Sequence, residues 1–271
     1  MSRLHPSLAL LLASLLWGTS FPATEIALGS FSPGIIIFSR FLFSTLLLMA
    51  ALRTIPVLTR DVIVAGLLNA VAFGLQFFGQ PLTTASKVAI ISNTFPIFTA
   101  MISPLILREY PTLRSLIAMA VGLAGVMLVG NLHDFHRLNL GDLMNLGASL
   151  SYALYVVFSR RAMRSISPTT FTVSTGAVST LVSVAYIRPA FRFAPTPAGA
   201  VALIWLVLFP STLGYLLYAY GISRRGAISS SVLILSTVLF GALASMLLLG
   251  ERLAPPEWVG LLLIAVAILL A

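Results

Sequence analysis

Four polar or aromatic residues recur at helical spacing inside an apolar stretch of the chain. Asn69, Phe73, Gln76 and Gln80 lie at positions i, i+4, i+7 and i+11, so one face of a helix carries all of them. Polar side chains within an apolar helix are costly and need a reason. This face therefore suits one of two tasks, lining a cavity that binds a polar solute or forming hydrogen bonds with neighbouring helices.

The stripe returns in the second half of the chain. At an offset of 142 residues, the first three positions fall on Ser211, Tyr215 and Tyr218. Two related helices would then present related faces. This recurrence favours a cavity lining, although hydrogen bonding between helices stays the alternative.

Arg40 is the only basic residue well inside an apolar segment. Its planar guanidinium could bind a carboxylate of a solute as a bidentate fork. It could equally form a structural ion pair with Glu25 on the preceding segment, and the sequence leaves both roles open. Five aromatic residues could form an amphipathic box around an apolar or aromatic group: Trp17, Tyr152, Tyr155, Tyr215 and Tyr218.

Prolines interrupt three apolar segments. Pro22, Pro96 and Pro210 should each free the backbone carbonyl four residues earlier, unless they only kink the helix to improve its packing. Two of the freed carbonyls lie beside Trp17 and Asn93, which makes these two residues candidate contacts for a solute.

Pro22 and Pro96 are also candidate hinges. Their counterparts in the second half are Val157 and Val238, which lack proline. We therefore expect the first and fourth segments to bend between conformations, and the sixth and ninth to move more rigidly.

The composition of the chain predicts what kind of structural element positions these residues. The chain has 271 residues, of which 59% are hydrophobic and 8% are charged, and it contains no cysteine. With a mean hydropathy of +1.04, these values exclude a soluble globular protein and indicate a polytopic membrane protein. The net charge of +9 does not indicate nucleic-acid binding, because the basic residues lie in short loops.

Ten apolar segments can be drawn, and all are expected to be helical, since a single span in lipid must satisfy its own backbone. The fold class is therefore an all-α, ten-span membrane protein. The segments are Leu8–Leu28, Pro33–Leu52, Val62–Pro81, Ser86–Leu107, Leu113–Gly130, Asp142–Phe158, Thr169–Ile187, Ala198–Gly221, Ala227–Leu249 and Glu257–Ala271.

The side of each loop follows from counting basic residues. Ten lie on the side of the two termini and five on the other, which predicts that both termini are cytoplasmic. The ten are Arg3, Arg53, Arg60, Arg108, Arg114, Arg160, Arg161, Arg164, Arg224 and Arg225; the five are Lys87, Arg137, Arg188, Arg192 and Arg252.

The two halves form an internal repeat. Residues 85–109 resemble residues 227–251, and Ser-Pro opens both the second and the seventh segment. Five spans is an odd number, so the second half must be inverted relative to the first. We predict a first repeat at 1–130, a linker at 131–141 and a second repeat at 142–271, with a site near the membrane midplane between the halves, as in secondary transporters.

Short sequence motifs resemble the EamA-type drug/metabolite transporter family. They include Leu16-Trp17-Gly18-Thr19-Ser20-Phe21 in the first segment, Arg40 in the second, Pro96 in the fourth, Gly250-Glu251-Arg252 after the ninth, and Trp258-Val259-Gly260 in the last. Their order and spacing cover nearly the whole chain. The sixth segment departs from the pattern, with Ser151-Tyr152-Ala153 where the first has Leu16-Trp17-Gly18.

The resemblance implies two inverted five-helix repeats and export of small metabolites across the bacterial inner membrane, with amino acids, aromatic or small and neutral, as the leading substrates. A multidrug or toxic-compound exporter is the alternative, and a non-transporting membrane scaffold is a further one. The expected partners are the substrate and the lipid bilayer, without nucleic acid or cofactor, and the monomer is expected to suffice.

The sequence offers no sign of an enzyme. No segment contains histidine, and there is no pair of acids at catalytic spacing. Glu109 and Glu251 are expected to be structural, because each precedes a helix whose amino end favours negative charge. Glu25 and Asp142 are the candidate titratable acids of the spans, and both lie near span ends. We therefore expect facilitated transport, or weak proton coupling at most.

Overall fold

The computed structural model describes residues 4–83, 85–130, 138–188, 191–250 and 252–271, and the regular elements in these ranges are helices. They are α1 (Pro6–Leu28), α2 (Pro33–Leu52), α3 (Arg60–Gly79), α4 (Ala85–Ser92), α5 (Phe95–Ile106), α6 (Leu113–Val129), α7 (Leu140–Ala162), α8 (Pro168–Ser183), α9 (Pro197–Leu206), α10 (Tyr215–Arg225), α11 (Ala227–Ile234), α12 (Ser236–Leu249) and α13 (Pro255–Leu270).

Three spans consist of two consecutive helices each. Span four is α4 followed by α5, span eight is α9 and α10 joined by a π-helical segment at Val207–Gly214, and span nine is α11 followed by α12. The remaining seven helices each form one span. The expectation of an all-α protein with ten transmembrane helices in two inverted repeats is confirmed.

Local sequence explains where the helices begin. Proline occupies the first turn of α1, α2, α8, α9 and α13, where its missing N–H costs no hydrogen bond. In five helices a side chain caps the amino end by accepting a hydrogen bond from a backbone N–H. These helices are α3, α6, α7, α8 and α9, and the capping residues are Thr59, Thr112, Asn139, Ser167 and Thr196.

The first two residues of α7 were expected to belong to the linker between the repeats. Leu140 and Gly141 are helical, because Asn139 and Asp142 form a reciprocal capping box that starts the helix earlier. Residues 131–137 of the expected linker lie outside the described residues, as do Arg3 and Glu251.

Both ends of the chain lie on one face of the bundle, which we call the terminal face; the opposite one is the distal face. Arg225 donates a hydrogen bond to Ser7 Oγ at 2.7 Å and another to the carbonyl of Ala271, so the first and last helices meet there. Odd-numbered spans therefore run from the terminal to the distal face and even-numbered spans run back.

Contacts between helices occur in matched pairs, as expected for two repeats related by a two-fold axis. Helix α3 packs against α7, and its counterpart, α9 with α10, packs against α1. In the same way, the contact between α1 and α12 has its counterpart in the contact between α7 and α5. Helices α2 and α8 contact each other directly, as do α6 and α13, because each is the counterpart of the other.

The contact between α6 and α13 is made by backbone. A Cβ atom built on Gly125 would lie 2.6 Å from the carbonyl oxygen of Gly260, and one built on Gly260 would lie 2.6 Å from the carbonyl oxygen of Gly125. Any side chain at either position would therefore force the two helices apart. Glycine at both positions allows this close approach.

Candidate functional site

A cavity of about 560 Å³ lies between the two repeats. Its rim includes residues close to the distal ends of their helices, namely Glu25, Leu28, Gln80, Leu253 and Glu257. Its deepest wall is formed by Tyr155 and Tyr218, which are 4% and 3% exposed. The cavity is therefore open toward the distal face and closed toward the terminal face.

The polar stripe of α3 faces this cavity. Asn69, Phe73 and Gln76 line it, and Gln80, which follows the end of α3, lies at its rim. From the related stripe of the second repeat, Tyr215 and Tyr218 line the cavity. Ser211 lies behind the wall and does not line it, but it contacts Arg40.

Arg40 reaches the cavity from α2 while being only 4% exposed. Its Nε donates a hydrogen bond to Ser211 Oγ at 2.9 Å, and its guanidinium carbon lies 5.1 Å from the centre of the Phe73 ring. Among the described residues, no acceptor is hydrogen-bonded to its two terminal nitrogens. The expected alternative, an ion pair with Glu25, is not formed, because Ser211 holds the side chain instead.

Four aromatic rings form the deep part of the cavity, and we call Trp17, Tyr155, Tyr215 and Tyr218 the aromatic floor. The centre of the Trp17 ring lies 5.3 Å from that of Tyr215 and 5.2 Å from that of Tyr218. The centre of the Tyr155 ring lies 5.9 Å from that of Tyr218 in a stacked arrangement. Rings at these distances offer a broad apolar surface with polar hydroxyls at its edges.

Hydrogen bonds across the repeats hold these side chains in place. The hydroxyl of Tyr215 donates to Asn69 Oδ1 at 3.1 Å, and that of Tyr152 donates to Gln76 Oε1 at 2.7 Å. Both interpretations of the stripe therefore hold, since the same side chains line the cavity and join helices. Tyr152 itself also lines the cavity, next to Phe73.

Trp17 is fixed by the distorted helix of span eight. Its indole Nε1 donates to the carbonyl of Pro210 at 3.0 Å, in the middle of the π-helical segment. The carbonyl that Trp17 contacts is therefore that of Pro210 itself. In this segment the carbonyls of Pro210 and Val207 accept hydrogen bonds from side chains, those of Trp17 and Thr212.

The two candidate hinges differ in their surroundings. Pro22 lies inside the continuous helix α1 and is buried. Pro96 lies in the first turn of α5, so it follows a break at Asn93 and Thr94 and does not kink a continuous helix. Asn93 lines the cavity at this break.

Span nine was expected to move more rigidly than span four because it lacks proline. How it moves stays a prediction, but its helix is not continuous. The helix is interrupted at Leu235, between α11 and α12. Leu235 corresponds to Asn93 at the offset of 142 residues, so both repeats break their fourth span at the same place. Both repeats share the interruption, so proline is not required for it.

Glu109 is structural, but it serves a different helix from the expected one. Its Oε2 accepts a hydrogen bond from the backbone N–H of Ala227 at 2.9 Å, which is the first residue of α11. Its Oε1 pairs with Arg160 at 2.9 Å. The carboxylate therefore stabilises the amino end of α11 in the other repeat, and not that of α6, which follows it in sequence.

Sequence reasoning missed a buried ion pair near the distal face. The Lys87 ammonium lies 3.1 Å from Asp142 Oδ2, and the two side chains are 6% and 1% exposed. Asp142 also accepts hydrogen bonds from the Thr83 hydroxyl and from the backbone N–H of Asn139. The only lysine of the chain could have indicated this, but its partner lies 55 residues away.

Comparison with known proteins identifies the fold. The profile of the EamA-like transporter family matches the chain twice, over residues 6–131 and 139–271. The chain belongs to the EamA-like transporter family. Its relatives include the "uncharacterized transporter YyaM" of Bacillus subtilis (strain 168), which is 28% identical over 86% of this chain and 82% of its own length.

A second relative covers almost the whole chain. An "uncharacterized transporter" of Archaeoglobus fulgidus is 23% identical over 99% of this chain and 86% of its own length. A protein of known crystal structure superimposes with a TM-score of 0.86 at 18% identity, covering 98% of this chain and 95% of that one. At that identity the superposition establishes the fold alone.

Proposed function

We propose that this member of the EamA-like family is a secondary transporter that exports small metabolites, with amino acids as the leading substrates. The observation that carries the proposal is the pairing of Arg40 with the aromatic floor inside one cavity. A buried guanidinium without a charged partner is costly. The carboxylate of an amino acid would accept hydrogen bonds from both terminal nitrogens of Arg40 as a bidentate pair.

The rest of an amino acid also suits this cavity. The aromatic floor supports an apolar or aromatic side chain, and its ring faces attract an ammonium group. The amide side chains of Gln76 and Asn93 line the same space. A volume of about 560 Å³ falls within the range of small-molecule sites.

Transport follows if the cavity opens alternately to the two sides of the membrane. With both termini in the cytoplasm of a bacterial cell, the cavity would face the outside in this conformation. Repeats of opposite orientation allow a second conformation in which the roles of the two halves are exchanged.

Uptake into proteoliposomes tests the proposal. A panel of radiolabelled amino acids is offered with and without an imposed pH gradient, to the native chain and to two variants. Arg40→Gln should abolish uptake of the accepted amino acids, whereas Arg53→Gln, which alters an exposed arginine outside the cavity, should not. If no amino acid is taken up by the native chain, the proposal of amino-acid export fails.

A multidrug exporter is the second candidate. The acidic residues Glu25 and Glu257 at the rim of the cavity, together with the aromatic floor, could also accept an apolar cation. A competition experiment distinguishes the multidrug exporter from the amino-acid exporter. This candidate would be favoured if amphipathic organic cations block the uptake of amino acids and the Arg40→Gln variant still transports these cations.

A further inference from the structure

The terminal half of the bundle contains buried hydroxyl groups without a hydrogen-bond partner. Seven such groups occur among the described residues, and six of them lie in the half of their span nearer the terminal face: Ser14, Thr45, Ser103, Tyr218, Ser230 and, just before the middle of its span, Thr237. A buried polar group left unpaired is destabilising and calls for an explanation. Entry of water in another conformation would supply the missing partners.

The inverted repeat indicates where that water would enter. At the offset of 142 residues, Ser103 corresponds to Ser245, Ser230 to Val88, and Tyr218 to Gln76. All three counterparts line the open cavity. Three of the unpaired hydroxyls therefore occupy, in the closed half, the positions that form the walls of the cavity in the open half.

Helix α11 carries Ser230 and packs beside the two helices that carry the other hydroxyls. It packs against α5, which carries Ser103, and against α1 and α10. Its counterpart α4 carries Val88 and Ser92, which line the open cavity. Both half-helices end at equivalent breaks, α4 at Asn93 and α11 at Leu235, where each could pivot relative to the rest of its span.

One carboxylate holds α11 in its closed position. Glu109 belongs to the first repeat, and it binds both the backbone N–H of Ala227 and the guanidinium of Arg160 in the second repeat. Arg160 also donates a hydrogen bond to the carbonyl of Ser223, close to the end of α10. The amino end of α11 is therefore fixed by charge-assisted hydrogen bonds that water at the terminal face can replace.

We propose that Glu109 keeps a second half-channel closed in this structure, and that this half-channel runs from the aromatic floor to the terminal face between α1, α5, α10 and α11. Its walls include Ser103, Tyr218 and Ser230, and Glu109 closes its mouth by holding α11 to Arg160. The proposal rests on the proposed function, because it identifies the route by which the cavity would be reached from the other side of the membrane.

Thiol labelling tests this route, and the chain is well suited to it because it contains no cysteine. Ser103→Cys and Ser230→Cys are prepared singly in proteoliposomes and treated from the terminal face with a membrane-impermeant methanethiosulfonate. Each is then combined with Glu109→Ala, which removes both contacts of the carboxylate, and with Glu109→Gln, which keeps an acceptor for Ala227. Labelling should accelerate about tenfold or more with Glu109→Ala, and less with Glu109→Gln.

Two control variants make the result specific. Val88→Cys, on the wall of the open cavity, should be labelled from the distal face in the native background and more slowly once Glu109 is replaced. Leu105→Cys, on the outside of α5 and 84% exposed, should be labelled at the same rate in every background. If Glu109→Ala prevents folding, Arg160→Gln removes the same ion pair from the other side.

The outcomes separate this inference from the proposed function. If amino acids are transported but neither Ser103→Cys nor Ser230→Cys is labelled faster after Glu109 or Arg160 is replaced, the half-channel does not exist as described. If labelling accelerates while no amino acid in the panel is transported, the half-channel stands and amino-acid export fails. Equal acceleration at Leu105→Cys would indicate general unfolding and would overturn the inference.

Discussion

Asn93 and Leu235 occupy the same place in the two repeats, and each marks the point where a membrane span is interrupted. Proline follows three residues later only in the first repeat, as Pro96, whereas the second repeat has Val238. The interruption is therefore a property of the repeat. It places the amino ends of α5 and α12 within the bundle, at the level of the cavity, where both Phe95 and Val238 contribute to the wall.

Replacing Pro96 with alanine should leave the break in place and change turnover less than about twofold. Pro96 lies in the first turn of α5, where its missing N–H has no intrahelical partner to lose. Initial rates of uptake in proteoliposomes measure the effect. Pro22→Ala provides the comparison, since Pro22 is inside a continuous helix and its replacement restores a backbone hydrogen bond. A large loss of turnover in Pro96→Ala alone would restore Pro96 as the hinge.

Arg40 should determine affinity for the carboxylate group. Arg40→Lys keeps the charge but loses the fork geometry, and Arg40→Gln loses both, so the apparent affinity should fall by about 10-fold and about 100-fold, respectively. Ser211→Ala, which only frees Arg40 Nε, should have a smaller effect. Competition by the methyl ester of an accepted amino acid is the control. Equal loss of affinity for the acid and the ester in Arg40→Gln would show that Arg40 does not bind the carboxylate.

The hydrogen bond between Tyr215 and Asn69 should contribute to stability as well as to the cavity wall. Tyr215→Phe should lower the free energy of unfolding by about 1 kcal/mol, since it removes the hydroxyl donor from a buried amide. Thermal unfolding in detergent measures this loss, and Tyr110→Phe, which alters an exposed tyrosine, is the matched control.

The double variant Asn69→Ala with Tyr215→Phe tests whether the two side chains act together. It should be less destabilised than the sum of the single variants, because the second replacement removes a partner already lost. Additive effects would mean that the 3.1 Å contact carries no energy.

Proton coupling should be weak or absent. Asp142 is held by Lys87, Thr83 and the backbone of Asn139, and it does not line the cavity. Asp142→Asn should therefore lower stability by about 3–5 kcal/mol, as expected for one half of a buried ion pair, without altering the dependence of flux on a pH gradient. Glu25→Gln, at the exposed rim, should alter neither property.

Flux measured with and without an imposed pH gradient decides the question of coupling. If either variant loses flux driven by the pH gradient but still binds substrate, transport is coupled to protons through that acid. The double variant Asp142→Asn with Lys87→Met shows whether any loss of flux comes only from instability, because it leaves no unpaired charge in the interior.

Hydropathy and the internal repeat were sufficient to predict the ten spans and nine of the residues that line the cavity. Each predicted site residue except Ser211 and the hinge prolines lines the cavity, because residues spaced along one face of a helix keep that face in the bundle. Whether these residues bind a substrate stays a prediction. The break at Leu235 could not be read from its own segment, which lacks proline and glycine around that position.

Contacts between distant parts of the chain were beyond sequence reasoning. Ala227 lies 118 residues from Glu109, and Lys87 lies 55 residues from Asp142. Which residues become partners depends on how the helices pack. For Glu109, the preference of a carboxylate for a helix amino end was the right physical principle. Which helix end Glu109 stabilises, however, depends on the packing of the helices and not on proximity in sequence.

The contact between Gly125 and Gly260 has a mechanical consequence. A seam made of backbone has no alternative rotamers, so it cannot repack in steps as side chains do when helices slide. In the proposed transport cycle, α6 and α13 would then form a stationary pair, and the inner helices would move relative to it. Substitutions in the cavity wall leave this seam intact, whereas any side chain at Gly125 or Gly260 would separate the two helices.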